Sequence, residues 1–192
     1  TGSYNVGLGR SALLSNTTAS YNTAVGYQAG YANTIGTHNT AIGYVAGSAL
    51  TTGGNNVALG SRALNLTTTG SANTALGREA LYSNTTADNN TAVGYQAGYS
   101  NTTGAYSTMV GFEAGRLNTT GQITAIGAQS FESNSTGTSN AGLGVNAGFS
   151  NTTGSYNTAL GESSLFSNTT ANNNTAVGYQ AMLDSTGGNN TA

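Results

Sequence analysis

The stretch Asn90-Thr91-Ala92-Val93-Gly94 decides the fold, because versions of this pentapeptide occur eleven times along the 192-residue chain. Nine of the ten steps between successive motif glycines are 17 residues long, and the step from Gly111 to Gly127 is 16. Helical hairpin repeats need more than about 30 residues, whereas this shorter period suits one coil of a β-solenoid. The period predicts an all-β fold, a parallel β-solenoid or β-roll with about eleven 17-residue coils. The motif glycines are Gly9, Gly26, Gly43, Gly60, Gly77, Gly94, Gly111, Gly127, Gly144, Gly161 and Gly178.

Composition alone would suggest a disordered chain, but the strict period argues otherwise. Charged residues make up 5% of the chain and hydrophobic residues 36%. So few large apolar side chains rarely offset the entropy of ordering a globular core. Stacked coils give each backbone group a ladder partner and make small side chains useful. We therefore expect one elongated domain over residues 1–192, a window of a longer repeat array without its terminal caps.

The residue content argues against several classes of function. The chain has no Cys, and its net charge is −2 with four Arg and no Lys, so we expect no disulfides and no nucleic-acid partner. No apolar run approaches the roughly 20 residues of a membrane span. His38 is the only histidine, and the six acidic residues share no column of the repeat. We therefore expect no enzyme activity and no catalytic, cofactor or metal site.

Two apolar columns stand directly before the motif glycine. The nearer one is always aliphatic, and the one before it is small in ten of eleven copies, with Met109 as the exception. Because neighbours in a strand face opposite sides, this strand should be dry on both faces. We expect the aliphatic column to fill the coil and the small column to meet another dry surface, most simply a second copy of the chain. The predicted core ladder is Leu8, Val25, Ile42, Leu59, Leu76, Val93, Val110, Ile126, Leu143, Leu160 and Val177.

Asparagines mark the turns. One precedes the motif glycine by four residues in nine of eleven copies, and another follows it by seven in eight. Asn tolerates the left-handed region, and its amide can stack into a ladder. Two turn columns predict about two strands per coil, and at roughly 4.8 Å per coil the rod would be on the order of 50 Å long. The predicted turn ladder is Asn22, Asn39, Asn56, Asn73, Asn90, Asn157 and Asn174.

Aromatic residues recur directly after the motif glycine. Exposed aromatic rings can bind sugars or a receptor, but stacking from coil to coil, which stiffens the rod, is the interpretation we favour. The Asn-Thr-Thr segments, for example at Asn84, match glycosylation sequons but need no glycan as ladder positions. The candidate surface contacts are Tyr27, Tyr44, Tyr95 and Tyr179.

A column of threonines that includes Thr85 and Thr102 raises ice binding as an alternative function. A second column, with Thr86 and Thr103, is adjacent in sequence. Adjacent strand residues point in opposite directions, so a flat face of two Thr columns is not expected here.

The segment Asn90-Thr91-Ala92-Val93-Gly94-Tyr95-Gln96-Ala97 resembles the head repeat of YadA-like trimeric autotransporter adhesins. It is still more similar to the Asn-Thr-Ala-Val-Gly-Tyr-Gln-Ala-Gly tracts of bacterial and phage fibre proteins. The resemblance covers the whole chain. It implies a left-handed parallel β-roll, three chains side by side, and a place outside the cell or on a virion.

These observations lead to one expected function and two alternatives. We expect a non-enzymatic segment of an extracellular fibre or filament that serves surface adhesion. Its partners would be further copies, as a homotrimer or an end-to-end filament, and a host, cell-surface or glycan ligand; this window would contact no membrane. A phage tail-fibre shaft and an ice-binding β-solenoid are the alternatives.

Overall fold

The computed structural model describes residues 2–192 and confirms the β-solenoid. The described residues form eleven strands and no helix, and thus none able to cross a membrane. All strands belong to one parallel sheet whose spatial order follows the sequence. The strands are β1 (Val6–Leu8), β2 (Thr23–Val25), β3 (Thr40–Ile42), β4 (Val57–Leu59), β5 (Thr74–Leu76), β6 (Thr91–Val93), β7 (Thr108–Val110), β8 (Ile123–Ile126), β9 (Asn140–Leu143), β10 (Thr158–Leu160) and β11 (Thr175–Val177).

The register of the sheet follows the sequence repeat. Equivalent residues face each other across coils, as in the pair Ala75 and Ala92. The short step is absorbed outside the strands, because Val110 still pairs with Ile126. The missing residue therefore lies in the turn before β8.

Each coil contains one strand, and the prediction of two strands per coil is wrong. The rest of the coil is a series of turns in which four positions of an ordinary coil have a positive φ, two of them at Gln96 with 51° and Gly98 with 61°. A strand needs an extended backbone with negative φ, so these positions prevent a second one. Neither position carries a consistent Gly or Asn, which is why the sequence did not show the turns.

The faces of the strand are the reverse of the sequence-based expectation. The small column lies inside the coil, where Ala75 and Ala92 are 0% exposed. A second small column three residues after the motif glycine, with Ala80 and Ala97, is equally buried and forms the opposite wall. Two alanine walls this close leave no room for an aliphatic column between them. The predicted core ladder therefore points outward, half-buried or exposed, at Leu8, Val25, Ile42, Leu59, Leu76, Val93, Val110, Ile126, Leu143, Leu160 and Val177.

Some of the large side chains in the core fill space that a glycine leaves in a neighbouring coil. Phe131 is fully buried, and its Cε1 lies 2.5 Å from the point where Gly148 would carry a Cβ. Met109 replaces an alanine of the strand, and its Cε lies 2.7 Å from the corresponding point of Gly98. Bulky residues and glycines therefore complement one another from coil to coil.

Buried asparagine amides fill the other end of the coil. Asn73 Oδ1 accepts the Asn90 N–H at 3.0 Å, and Asn73 Nδ2 donates to Ala87 O at 2.8 Å. Asn84, from the second asparagine column, donates to the same carbonyl at 3.1 Å. Such bonds satisfy backbone groups that would otherwise be buried without a partner. The structure places the whole predicted turn ladder in this buried position: Asn22, Asn39, Asn56, Asn73, Asn90, Asn157 and Asn174.

Candidate functional surfaces

The described residues, 2–192, hold no group of three or more His, Cys, Asp or Glu side chains that could bind a metal ion. His38 is exposed in a turn and stacks on Tyr21, with ring centroids 4.9 Å apart. The sequon asparagines Asn84, Asn101 and Asn151 are 0% exposed. Their Nδ2 atoms donate to backbone carbonyls inside the coil, so the folded chain does not offer them for glycosylation.

The largest uncovered apolar feature is the outward aliphatic column with the aromatic column beside it, which we call the apolar stripe. Leu143 is 50% exposed in the first column, and Tyr44 and Phe112 are 52% and 50% exposed in the second. At roughly 4.8 Å per coil and a width of ~10 Å, the stripe spans about 500 Å². Its aliphatic column is continuous, whereas the aromatic column is interrupted by Arg10, Ser61, Arg78 and Glu162. The largest apolar patch on a protein surface is often a functional contact site. The stripe is therefore a candidate contact surface.

A hollow of about 250 Å³ lies on the same sheet face at β8–β10. Ala141 stands there in place of the threonine that most coils carry two residues before the aliphatic residue. Ile126, Leu143 and Leu160 line it together with Ala141. The outer face thus has a local recess that an apolar side chain could fill.

The candidate aromatic contacts stack along the rod. Tyr27 and Tyr44 have ring centroids 5.5 Å apart, and the Arg10 guanidinium lies 5.9 Å from the Tyr27 centroid. Tyr95 stacks on Phe112 in the same way, at 5.5 Å. Tyr179 is the most open member of the predicted set, at 69% exposed. The rings therefore have a structural role within the chain while their edges still face solvent.

A small charge network crosses the middle coils. Gln96 Nε2 donates to Glu79 Oε2 at 2.8 Å, and Arg62 Nη1 lies 3.4 Å from Glu79 Oε1. The Gln96 hydrogen bond, aided by Arg78 and Arg62, holds the pKa of the Glu79 carboxyl below its usual value, although burial acts in the opposite direction. The network pairs one buried carboxylate with two arginines whose side chains remain accessible to solvent.

In the threonine column considered for ice binding, the hydroxyl groups donate hydrogen bonds to backbone carbonyls. Thr85 Oγ1 donates to Thr102 O at 3.1 Å, and Thr102 Oγ1 donates to Thr119 O at 3.2 Å. Sequence reasoning missed a different threonine column, represented by Thr74 and Thr91 in the strands. It lies on the outer face because it alternates with the buried alanines. The alternation of side chains along the strand was the feature of the sequence that could have identified this threonine column.

The short coil leaves a notch in the surface of the rod. In the other coils, the residue five before the motif glycine is left-handed, as at Tyr106 with φ 60° and Ser139 with φ 57°. Its N–H donates to the preceding coil, as in Ser139 N to Gln122 O at 2.8 Å. This residue is the one missing between Gln122 and Ile123. The resulting notch of about 280 Å³ is lined by Tyr106, Gln122, Ile123, Thr124, Ser139, Asn140 and Ala141.

Beneath the notch, two copies of the repeat carry a residue other than asparagine in the turn asparagine column. Ser107 and Ile123 occupy two consecutive positions of the turn asparagine column. Ser107 Oγ donates to Gly121 O and accepts the Ile123 N–H, both at 3.2 Å. Ile123 is 1% exposed and packs against Gly115. The 16-residue step was visible in the sequence, but its consequence for the surface required the structure.

Comparison of the chain with models of known protein families, with curated proteins and with solved structures gave no match.

Proposed function

We propose that this chain is a non-enzymatic structural segment of an extracellular fibre, in which copies pack side by side through the apolar stripe. The observation that carries the proposal is the outward aliphatic ladder, with Leu59 45% and Leu160 40% exposed. Parallel sheets are normally covered on both faces, so a bare one indicates a missing layer. A second copy supplies that layer.

The size of the stripe supports this packing. Two stripes in contact would bury about 1,000 Å² in total, close to the lower limit of specific protein interfaces. Burial of the aliphatic side chains favours association, and the cost that it must offset is about 4–15 kcal/mol.

Repetition makes a second copy a better partner than an unrelated protein. The stripe repeats coil by coil in the register of the sheet, so two parallel copies match over their whole length. Three copies around one axis are the arrangement that the resemblance to YadA-like heads implies. Identical polar ladders on the uncovered sides would then give adhesion through many weak contacts. A phage tail-fibre shaft would use the same assembly.

Ice binding is the second candidate, and one observation favours it. Thr74, Thr91 and Thr108 stand in an outward column two residues before the aliphatic column. A single sheet of eleven parallel strands thus presents regular methyl and hydroxyl groups on one face. This face, and not the column of Thr85, would meet ice.

Particle mass in solution tests the proposal, measured by light scattering or sedimentation over a range of concentrations. We expect a mass of three chains for the unaltered protein. The triple variant Leu76→Thr, Val93→Thr, Val110→Thr keeps β-forming residues but removes apolar surface, and it should dissociate. A single-chain mass at every concentration would overturn the proposal, and freezing-point depression by that monomer would support ice binding.

A matched control uses exposed aliphatic residues outside the stripe. Ile35, Leu66 and Leu117 are 55%, 42% and 37% exposed. Replacing these three by threonine removes a similar apolar area, and the particle mass should not change. Equal dissociation of both triple variants would show that the stripe is not the specific contact.

A further inference from the structure

We propose that the notch before β8 binds an uncharged sugar, a single hexopyranose unit of a glycan, against the ring of Tyr106. The inference rests on the adhesive function proposed above and names a ligand class for it. The notch is the one place on this repetitive rod where the 17-residue surface pattern is broken. It therefore offers a single site instead of a ladder.

Tyr106 has an unfavourable backbone conformation, and its side chain is not buried in compensation. Its φ is 60°, and the side chain is 66% exposed. A bulky residue in this region costs about 1 kcal/mol or more, whereas Asn, as at Asn89 in the preceding coil, tolerates it. The same conformation recurs in the other coils, as at Tyr156 with φ 59°, so it belongs to the repeat, and the absence of a following neighbour is what distinguishes Tyr106.

The ring of Tyr106 is also free on the side of the notch. At the same position in coils one to three, Tyr4, Tyr21 and His38 stack on one another at 5.0 and 4.9 Å. Tyr106 has Asn89 before it in this column and the missing residue after it. One aromatic face is thus open toward the notch, and the apolar C–H face of a pyranose can stack on it.

The remaining lining is polar and uncharged, as the hydroxyls of a neutral sugar require. Gln122, Thr124 and Ser139 contribute an amide and two hydroxyls. Asn140 is part of the wall only, because its Nδ2 donates to Gly154 O at 2.7 Å and its Oδ1 accepts the Asn157 N–H at 2.9 Å.

One backbone carbonyl next to Tyr106 lacks the donor that its equivalents have in other coils. In the coil that precedes the short one, Tyr106 donates its N–H to Asp88 O of the coil before it, at 3.3 Å. The short coil lacks the residue that would donate to Ala105 O in the same way, because it is the one missing between Gln122 and Ile123. A sugar hydroxyl can take its place. The notch has a volume of about 280 Å³ and is open to solvent.

Saturation-transfer difference NMR on the intact protein tests the proposal, because the method detects weak ligands of large particles. The probes are the methyl glycosides of glucose, galactose, mannose and N-acetylglucosamine, each titrated into the millimolar range. We expect saturable binding of at least one probe. Tyr106→Asn should weaken this binding about tenfold. That variant should fold normally, because Asn occupies the same position in other coils.

Two controls separate the notch from general stacking on tyrosine. Tyr156 stands in the same column with φ 59° and 62% exposure, but no residue is missing beside it. Tyr156→Asn should leave binding unchanged. Inserting Asn between Gln122 and Ile123 restores the 17-residue step and should abolish binding.

The outcomes distinguish this proposal from the fibre proposal. Lost sugar binding with unchanged particle mass in Tyr106→Asn supports the notch. Saturable, Tyr106-dependent binding by a monomeric wild type would overturn side-by-side packing but keep the notch. The sugar proposal is refuted if no probe binds saturably, or if Tyr106→Asn and Tyr156→Asn behave alike.

Discussion

Replacing Gly148 by alanine should destabilise the rod much more than replacing Gly47, although the two glycines share one backbone conformation. Their φ angles are 64° and 55°. A Cβ on Gly148 would lie 2.5 Å from Phe131 Cε1, whereas one on Gly47 would meet only Ala41 Cβ at 3.6 Å. The left-handed conformation costs an alanine about 1–2 kcal/mol at either position. Overpacking adds about 1–3 kcal/mol at Gly148 alone.

The assay must resolve local stability, because a repeat protein of this length need not unfold in two states. Native-state hydrogen exchange reports the opening free energy of single amides. The informative ones are Phe131 N, which donates to Ala147 O at 2.8 Å, and Gly148 N, which donates to Ser164 O at 2.8 Å. An extra 2 kcal/mol at Gly148 should also lower the thermal midpoint by about 4–8 °C relative to Gly47→Ala.

A rescue variant shows whether the Phe131 ring is the cause. Leucine occupies the equivalent position at Leu64, Leu81 and Leu165. Phe131→Leu combined with Gly148→Ala should be more stable than the sum of the single changes by at least about 1 kcal/mol. Equal losses in the two glycine variants, or simple additivity in the double variant, would refute the proposed complementarity between bulky residues and glycines.

Gly111→Ala should disrupt the rod near β7, because its Cβ would lie 2.6 Å from a backbone carbonyl carbon of the next coil, whereas at Gly178 the nearest atom is 4.0 Å away. Limited proteolysis should therefore cleave the first variant much faster than Gly178→Ala. Asn73→Ala leaves the buried Asn90 N–H without its acceptor and should cost about 1–3 kcal/mol in the exchange of nearby amides. The pKa of Glu79 lies below its ordinary 4.5, so its stabilising contribution is present above the unfolded pKa and is lost as the pH falls through the folded one. The thermal midpoint of the wild type should accordingly fall more steeply from about pH 5 to pH 2 than that of Glu79→Gln. Finally, side-by-side packing predicts a thermal midpoint that rises with protein concentration, and a constant midpoint would contradict it.

The period of the sequence was enough to predict the fold and the register. Gly94 and its equivalents returned at one spacing, and only stacked coils of a parallel solenoid use such a spacing. The period could not show which face of the strand turns inward. Ala92 and Val93 are both apolar neighbours, so either could fill the coil. Only the distance between the two walls of the coil decides between them, and that distance depends on the turns.

The turns were the least visible part of the sequence. Left-handed positions are occupied by Tyr, Gln, Leu and Phe as often as by Gly or Asn, for example at Gln96 and Leu81. These side chains carry no turn signature of their own, and stacking on the neighbouring coil holds them in place. The notch was hidden for the same reason. Its missing residue belongs to a column whose left-handed conformation the sequence did not reveal.

The narrow interior explains why the rod has an uncovered stripe. A buried alanine offers one methyl group, whereas full burial of a Val, Leu or Ile contributes about 1.5–3 kcal/mol. The coil interior holds mainly alanine side chains and amides, so hydrophobic burial inside the coil contributes little to stability. The buried asparagine ladder stabilises the coil through hydrogen bonds and adds little hydrophobic stabilisation. The aliphatic side chains of the strands stand outside, where this gain is only partly realised. A chain that places its best hydrophobic residues on one straight outer line can complete their burial only against another surface of equal length and spacing. A second copy has that surface by construction, and this match is the physical argument for the side-by-side packing that we propose.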